Sequence, residues 1–354
     1  LPDRGQPAPD GQRKTFFGDH GHFGRVVVAV AVEQNDGLAG RDPQDTAQVM
    51  RSALFKIDLA PGLEWLAGVN PMYTQGKSRR DKIRFVIIPY LSQRCKIIME
   101  SFLETALAAA RAAAEDILHF YRGEFEIELK PDQTPVTVAD RRAEEIIKGI
   151  LLDAFPEHGF FGEESGKEQA DADYLWLVDP IDGTKSLVGG YGMFSTQIAL
   201  MHRGRLILGV SSAPAAGEIA WAADGMGARL DGTPVRVSET TSLSDASVST
   251  GNLQSLARSP QWANLGHIFA QVNRTRGYGD YYHYHRLAAG QIDAVIESDV
   301  NILDIAALSV IVNEAGGVFT DLEGRPPSLA TTSVLAATPG LHATLLEILS
   351  GKGI

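Results

Sequence analysis

Apolar and polar positions change their pattern sharply along this chain. Up to about residue 98 no period is sustained. "RVVVAVAV" (25–32) and "IRFVIIPYL" (83–91) read as strand segments among scattered Gly, Pro, Gln and Asp. At Met99 the texture switches. "MESFLETALAAARAAAEDILHFYRG" is dense in helix formers, spaces its apolar residues by three and four, and closes on Gly123, which predicts a long helix. A second helix is predicted from the acidic start at Asp140 to about Ala154, before Pro156. "EHGFFGEESG" follows as a short strand and turn. "YLWLVD" then reads as a buried strand that stops at Asp179, because Pro180 has no N–H for a ladder. "STQIALMHRG", "RLILGVSSAP", "GEIAWAADGMGA" and "TPVRVS" continue as strands broken by Gly and Pro, a mostly antiparallel sheet. From Leu243 the pattern mixes. "DASVSTG", "IDAVIES" and "VFTDLEG" read as strands, and "GDYYHYHRLAAGQ", "ILDIAALSVIVNEAGG" and "GLHATLLEILSG" as helices.

Composition narrows the classes. With 354 residues, 44% apolar and 21% charged, the chain is of ordinary globular type, and its length suggests about two domains. A net charge of −12 argues against sequence-independent nucleic-acid binding, which needs a basic footprint. That charge is uneven: residues 1–98 carry +4 and the remainder −16. No apolar stretch is long enough to span a bilayer, and the first residues lack a signal-peptide pattern. The single cysteine, Cys95, permits no internal disulfide and fits a reducing compartment, so a cytoplasmic location is expected. The expected organisation is an enzyme fold starting near Met99. Residues 1–98 are then an extension outside it, disordered or even translated upstream sequence; a small regulatory or targeting domain is the alternative.

The acids carry the chemistry. In "LVDPIDGT", Asp179 and Asp182 stand at a strand end with Gly183 and Thr184 after them. Gly183 permits unusual backbone angles, and Thr184 is placed to cap a helix. Two carboxylates with the Ile181 carbonyl between them suit a hard divalent cation; an Asx turn is the plainer alternative. An Asp-x-Asp spacing would suit a nucleophile, but the extra residue here, and Pro180 within it, favours chelation. The second Asp-Gly-Thr, at 231–233, lacks a strand-end acid before it and reads as a hairpin turn. Glu163 and Glu164 in "GEES", read alone, are a solvated surface pair. Asp304 heads an apolar helix, where it could simply complement the dipole, and Thr137 and Asp140 could be plain caps.

Taken together, "TPVTVADRRAEEII", "GEES", "VDPIDGT" and "DIAA…EAGG" in this order resemble the inositol monophosphatase family of metal-dependent phosphatases, from about Met99 to the C-terminus. The resemblance implies an α+β fold, a layered αβαβα sandwich, with halves at 99–238 and 239–354 and the site between them. It implies two or three Mg²⁺ ions held by Glu163, Asp179, the Ile181 carbonyl, Asp182 and Asp304. Li⁺ is then expected to inhibit by competing for a Mg²⁺ site. It further implies a metal-activated water positioned and deprotonated by Thr184 and Asp140 with Glu163 nearby, and phosphate held by the N–H groups of Gly183 and Thr184. A homodimer acting on a small-molecule phosphate ester is implied too, with no nucleic acid and no membrane as partner.

"GYGDYYHY" resembles the Gly-Asp-x-Tyr pattern of the histidinol-phosphatase branch, which makes histidinol phosphate, in histidine biosynthesis, the expected substrate. Asp280 and Glu297 would then face the cationic amine, although Asp280 could instead be an N-cap. Inositol monophosphatase is the alternative. A nucleotide 3′-phosphatase drawing on Arg274, Arg276 and Arg286 comes next, and a catalytically silent metal-binding regulator last. His283 and His285 read as surface or packing residues. Leu303 stands where the family often has Trp, which bears on packing at the substrate edge.

Overall fold

The computed structural model describes residues 88–123, 127–129 and 135–352. Helices α1 (Ile88–Tyr121) and α2 (Val138–Ala154) flank a small antiparallel hairpin, β1 (Ile127–Leu129) and β2 (Pro135–Thr137). An eight-stranded sheet follows, formed by β3 (Gly159–Gly162), β4 (Gly166–Glu168), β5 (Tyr174–Asp182), β6 (Ser195–His202), β7 (Arg205–Ala213), β8 (Glu218–Ala223), β9 (Gly227–Leu230) and β10 (Thr233–Val235). The short α3 (Thr184–Val188) joins β5 to β6. Strand order is β10-β9-β8-β7-β6-β5-β3-β4, antiparallel throughout except for β3 beside β5.

The rest of the chain builds a five-stranded mixed sheet and its helices. In order these are β11 (Ser247–Thr250), α4 (Leu253–Arg258), α5 (Trp262–Gln271), β12 (Arg274–Arg276), α6 (Asp280–Ala288), β13 (Ala294–Ser298), α7 (Ile302–Glu314), β14 (Val318–Thr320), β15 (Ser333–Ala337) and α8 (Pro339–Leu349). Strands lie in the order β12-β11-β13-β15-β14.

Apolar cores stack these elements into layers. Ala106 and Ala113 of α1 and Ile147 of α2 pack on Trp176, Ile198 and Leu208 of the first sheet. The other face of that sheet, through Leu177 and Ala199, meets Leu287 of α6 and Leu308 and Val312 of α7, which also touch Val295 and Ala336 of the second sheet. Ile296 and Leu335 close the stack against Leu256, Leu265, Ile268 and Leu345. The result is the expected αβαβα sandwich. Helix α7 lies between two sheets, so it is apolar on all sides. Its backbone rests directly on β7: a Cβ at Gly209 would stand 2.3 Å from the Ala307 carbonyl oxygen and 2.8 Å from its Cα.

Several expectations need correction. The first helix begins at Ile88, not near Met99, so 88–91 of the expected strand "IRFVIIPYL" are helical. No stop signal separates that apolar run from the helix, and Pro89 is tolerated in a first turn. Residues 25–32, and most of the 1–98 segment, lie outside the described residues. Strand β5 does not stop at Asp179 but continues through Pro180 to Asp182, with a register shift between the two aspartates. A bulge there leaves Pro180 without a ladder bond to make. Helices α4 and α5 and strands β12 and β15 were not expected. The second Asp-Gly does turn the β9–β10 hairpin, with φ 48° at Asp231 and 76° at Gly232. Among the described residues, no helix is long and apolar enough to cross a membrane.

Candidate active site

The bulged end of β5 sets the first two acids. Asp179 is 3% exposed and its Oδ1 accepts the Ile181 N–H at 3.0 Å. The Asx turn offered as the plain alternative is therefore present, and it aims the carboxylate. The Pro180 carbonyl accepts from Thr196 Oγ1 at 2.9 Å, which satisfies the bulge. Gly183 then adopts φ 89°, and a Cβ there would meet the Met193 carbonyl oxygen at 2.7 Å. Gly183, not Thr184, is the N-cap of α3. The Thr184 hydroxyl, freed from capping, lies 3.1 Å from Asp140 Oδ1 and 3.0 Å from the Ile181 carbonyl, two acceptors for one proton. Asp140 sits in the first turn of α2 at 1% exposure.

The "GEES" turn is held by a residue that sequence reasoning missed. Glu144, on α2 and 2% exposed, accepts the N–H of Glu164 at 2.8 Å (Oε2) and of Ser165 at 2.7 Å (Oε1). Gly162 makes room for it, since a Cβ there would be 2.4 Å from Glu144 Oε2. The signal was the i, i+4 spacing of Asp140 and Glu144 on α2, which puts both acids on one helix face. Glu163 is exposed at this turn, and its side chain acts on Asp179 by charge and by a hydrogen bond.

Asp304 enters from the other side of the site at the start of α7. Its Oδ2 accepts the Asn301 N–H at 2.8 Å, while Asn301 Oδ1 accepts from Leu303 N–H at 2.7 Å, a reciprocal capping box. Asp179, Asp182 and Asp304 each present a carboxylate oxygen within 4.8 Å of the other two. Burial and the neighbouring acids push Asp179 and Asp182 well above the usual carboxylate range, and burial lifts Asp304 to about 7. Hard oxygen donors that repel one another this strongly fit a divalent cation.

The two acids expected to face the substrate, Asp280 and Glu297, are also brought in. The charges of Asp280 and Glu297 both act on Asp182. Asp280 is not an N-cap: Gly279 holds that position, and Asp280 is the first residue of α6 with φ 49°. Aspartate tolerates this left-handed region, as Asp231 does in its turn, and here it sets the carboxyl at the very start of the helix. Burial and Glu297 raise Asp280 to about 6. Glu297 is 4% exposed, and its Oε2 accepts from Tyr284 Oη at 2.7 Å and lies 3.1 Å from His283 Nε2. Its Oε1 faces Gly251, where a Cβ would approach to 1.7 Å. Of the two roles expected for His283 and His285, packing holds and the surface does not: they are 0% and 1% exposed, and both are hydrogen-bonded. Of the three arginines considered for a second phosphate, Arg286 is taken by Glu218, while Arg274 and Arg276 are exposed on β12.

Known proteins resemble this chain in sequence and in fold. The profile of the inositol monophosphatase family matches residues 98–352. A histidinol-phosphatase of Streptomyces coelicolor is 37% identical over 253 residues, covering 69% of this chain and 94% of the relative. One of Mycobacterium tuberculosis is 40% identical over 228 residues, covering 63% and 88%. The crystal structure of the extragenic suppressor protein SuhB from Bartonella henselae superposes with a TM-score of 0.66 at 30% identity, covering 72% of this chain and all of that one. A strand-end Asp pair facing a helix-start Asp, in a five-layer sandwich matched over these lengths, leaves one conclusion: the chain belongs to the inositol monophosphatase family and is a phosphoric monoester hydrolase.

Proposed function

We propose that the chain is a Mg²⁺-dependent histidinol-phosphatase, releasing phosphate and histidinol in histidine biosynthesis. The observation that carries the substrate is the half-buried Asp280, raised to about 6 by burial and Glu297 and standing beside Asp182. A wall of carboxylates recognises a cation. Histidinol phosphate brings a phosphate at one end and an ammonium with an imidazole at the other; inositol phosphate brings only hydroxyls. The two histidinol-phosphatase relatives support the same reading. Inositol phosphate stays the second reading because acids also accept from sugar hydroxyls.

In this reading Glu163, Asp179, the Ile181 carbonyl, Asp182 and Asp304 hold two or three Mg²⁺ ions. When bound, these ions neutralise phosphate charge and make water a better nucleophile. The protein groups move the proton. Attacking water gives a proton to Thr184 Oγ1 as the Thr184 proton passes to Asp140 Oδ1, 3.1 Å away. A P–O bond forms to the water oxygen, the ester P–O bond breaks, and the leaving alkoxide is protonated from solvent. Glu163 assists at the water, and the N–H groups of Gly183 and Thr184 receive phosphate oxygens. Asp280 and the remaining oxygen of Glu297 orient the amine. The reading also includes catalytic halves at 99–238 and 239–354, a homodimer, inhibition by Li⁺ and a cytoplasmic location, with 1–98 outside the catalytic fold.

The test is phosphate release by the full chain from histidinol phosphate and from inositol 1-phosphate at matched Mg²⁺. A kcat/KM at least about tenfold higher for histidinol phosphate, lost in Asp280→Asn, is expected for one charged contact of about 1.4 kcal/mol or more. Equal or reversed rates overturn the substrate.

A further inference from the structure

Beneath the acids, a single hydrogen-bonded line crosses otherwise apolar space, and the chemistry above uses none of its members beyond Asp182. Ser195 Oγ lies 3.3 Å from Asp182 Oδ2. Gln197 Nε2 is 2.8 Å from Ser195 Oγ and 3.0 Å from Ser211 Oγ. Ser211 Oγ is 2.8 Å from His285 Nε2, and His285 Nδ1 is 2.6 Å from Glu218 Oε1. The other oxygen of Glu218 pairs with Arg286. Gln197 and Ser211 are fully buried, and Ser195 and His285 are 1% exposed. Ser195 and Gln197, two apart on β6, share a strand face, and Gln197 stands opposite Ser211 on β7. Polar groups so deep are unfavourable unless paired, so an extended run of them calls for a purpose.

The donor inventory fixes the direction of every bond. The Gln197 amide spends both N–H protons on the two serines. Each serine then accepts from Gln197 and keeps its own proton for its other neighbour. On one side that neighbour is the Asp182 carboxylate, an acceptor. On the other it is His285 Nε2, which must therefore be bare, leaving the proton on Nδ1 to meet Glu218. Arg286 has only donors, which holds Glu218 as the acceptor at the far end. Gln197 Oε1 is buried without a partner among the described residues. Turning the amide over would instead idle the NH₂ group, make both serines donate to Gln197, and withdraw the proton from Asp182. The orientation that leaves Oε1 idle is the one that serves the carboxylate.

We propose that Ser195 is a positioning residue that orients the Asp182 carboxylate for cation binding by donating to Oδ2, with Gln197 setting the direction of that bond. Ser211, His285 and the Glu218–Arg286 pair anchor the line at its other end. The proposal rests on the reading of Asp182 as a cation ligand.

The test measures Mn²⁺ binding to the full chain without substrate, by the resonance of free Mn²⁺, together with the His285 tautomer by nitrogen-detected NMR. Loss of a partner behind a ligand weakens metal affinity by about tenfold or more. Ser195→Ala is therefore expected to do so. Gln197→Glu, which accepts from both serines and keeps the shape, is expected to do the same, while Ser195→Thr keeps the hydroxyl and the affinity. Wild-type His285 is expected to carry its proton on Nδ1. A proton on Nε2 in the wild type overturns the direction of the line without any variant. Wild-type affinity in both Ser195→Ala and Gln197→Glu, with affinity lost in Asp182→Asn, overturns the positioning role alone. Undiminished binding in Asp182→Asn removes the ligand reading itself, and this proposal with it.

Discussion

Replacing Glu144 by Gln keeps the length and shape of the side chain and alters only what its two end atoms offer. Both oxygens now accept backbone N–H groups of the Glu163 turn, at 2.8 Å and 2.7 Å, from a position 2% exposed. Hydrogen bonds to a charged acceptor contribute roughly 1.5–3 kcal/mol each. Gln retains one acceptor of neutral strength and turns an NH₂ group toward the second N–H, which is left unpaired. The expected loss is about 2–4 kcal/mol, most of it the stranded donor. For a fold of this size, that corresponds to a fall in Tm of about 5–12 °C. Calorimetry of Glu144→Gln beside the wild type, without cation, reads it directly. Gly162→Ala should act through the same atom, because its Cβ would reach Glu144 Oε2 at 2.4 Å. The double variant is then expected to lose less than the sum of the two. A Tm for Glu144→Gln within about 1 °C of wild type would refute the reasoning, since so small a shift is below one ordinary hydrogen bond.

Other outcomes follow from the same geometry. Thr184→Val keeps the shape but removes the hydroxyl shared by Asp140 and Ile181; kcat should fall by about 10²–10⁴ with little change in KM, and a fall in affinity alone would point to binding rather than proton transfer. Asp280, ordinarily near 3.8 and raised to about 6 in the fold, stabilises the cation-free protein below its ordinary pKa and loses that contribution as pH rises through about 6; urea midpoints between pH 4 and 7 should show a decline shared with Asp304, and Asp280→Asn should make it shallower. His158 runs the opposite way. Burial lowers it from 6.5 to about 4, so stability is full above 6.5 and falls as pH drops toward 4, by up to about tenfold in the folding constant per pH unit; an unchanged slope in His158→Phe would reject that assignment.

The acids of the candidate site were easier to single out than the exact bounds of the elements that carry them. Asp179, Asp182 and Asp304 could be singled out because acids beside apolar runs are conspicuous, and the structure brings them within 4.8 Å. The second Asp-Gly-Thr was separable from the first by what precedes it. The extent of β5 was not legible, because Pro180 argues locally against a strand and only the partner β6 makes a bulge tolerable. Glu144, Gln197 and His285 were hidden for another reason. Each works through a partner 14 to 74 positions away, Glu144 through Glu164, Gln197 through Ser211 and His285 through Ser211 and Glu218, and no spacing rule spans such distances. Helices α4 and α5 follow turn-rich sequence whose helical period is short, so packing against Ile296 and Leu335 decides them.

Gly209 carries a consequence for the distance across the site. Helix α7 touches β7 backbone to backbone at this residue, and Asp304 lies one turn before Ala307 on the same helix. Asp182 belongs to β5, two strands from β7 in the same sheet. The separation between the two acids is therefore gauged by a point where nothing but hydrogen fills the gap. A methyl group at 209 would work as a shim, lifting the helix bodily and widening the jaw that the acids form, although it touches neither of them. The distance between two acids on different elements is written into a residue with no side chain.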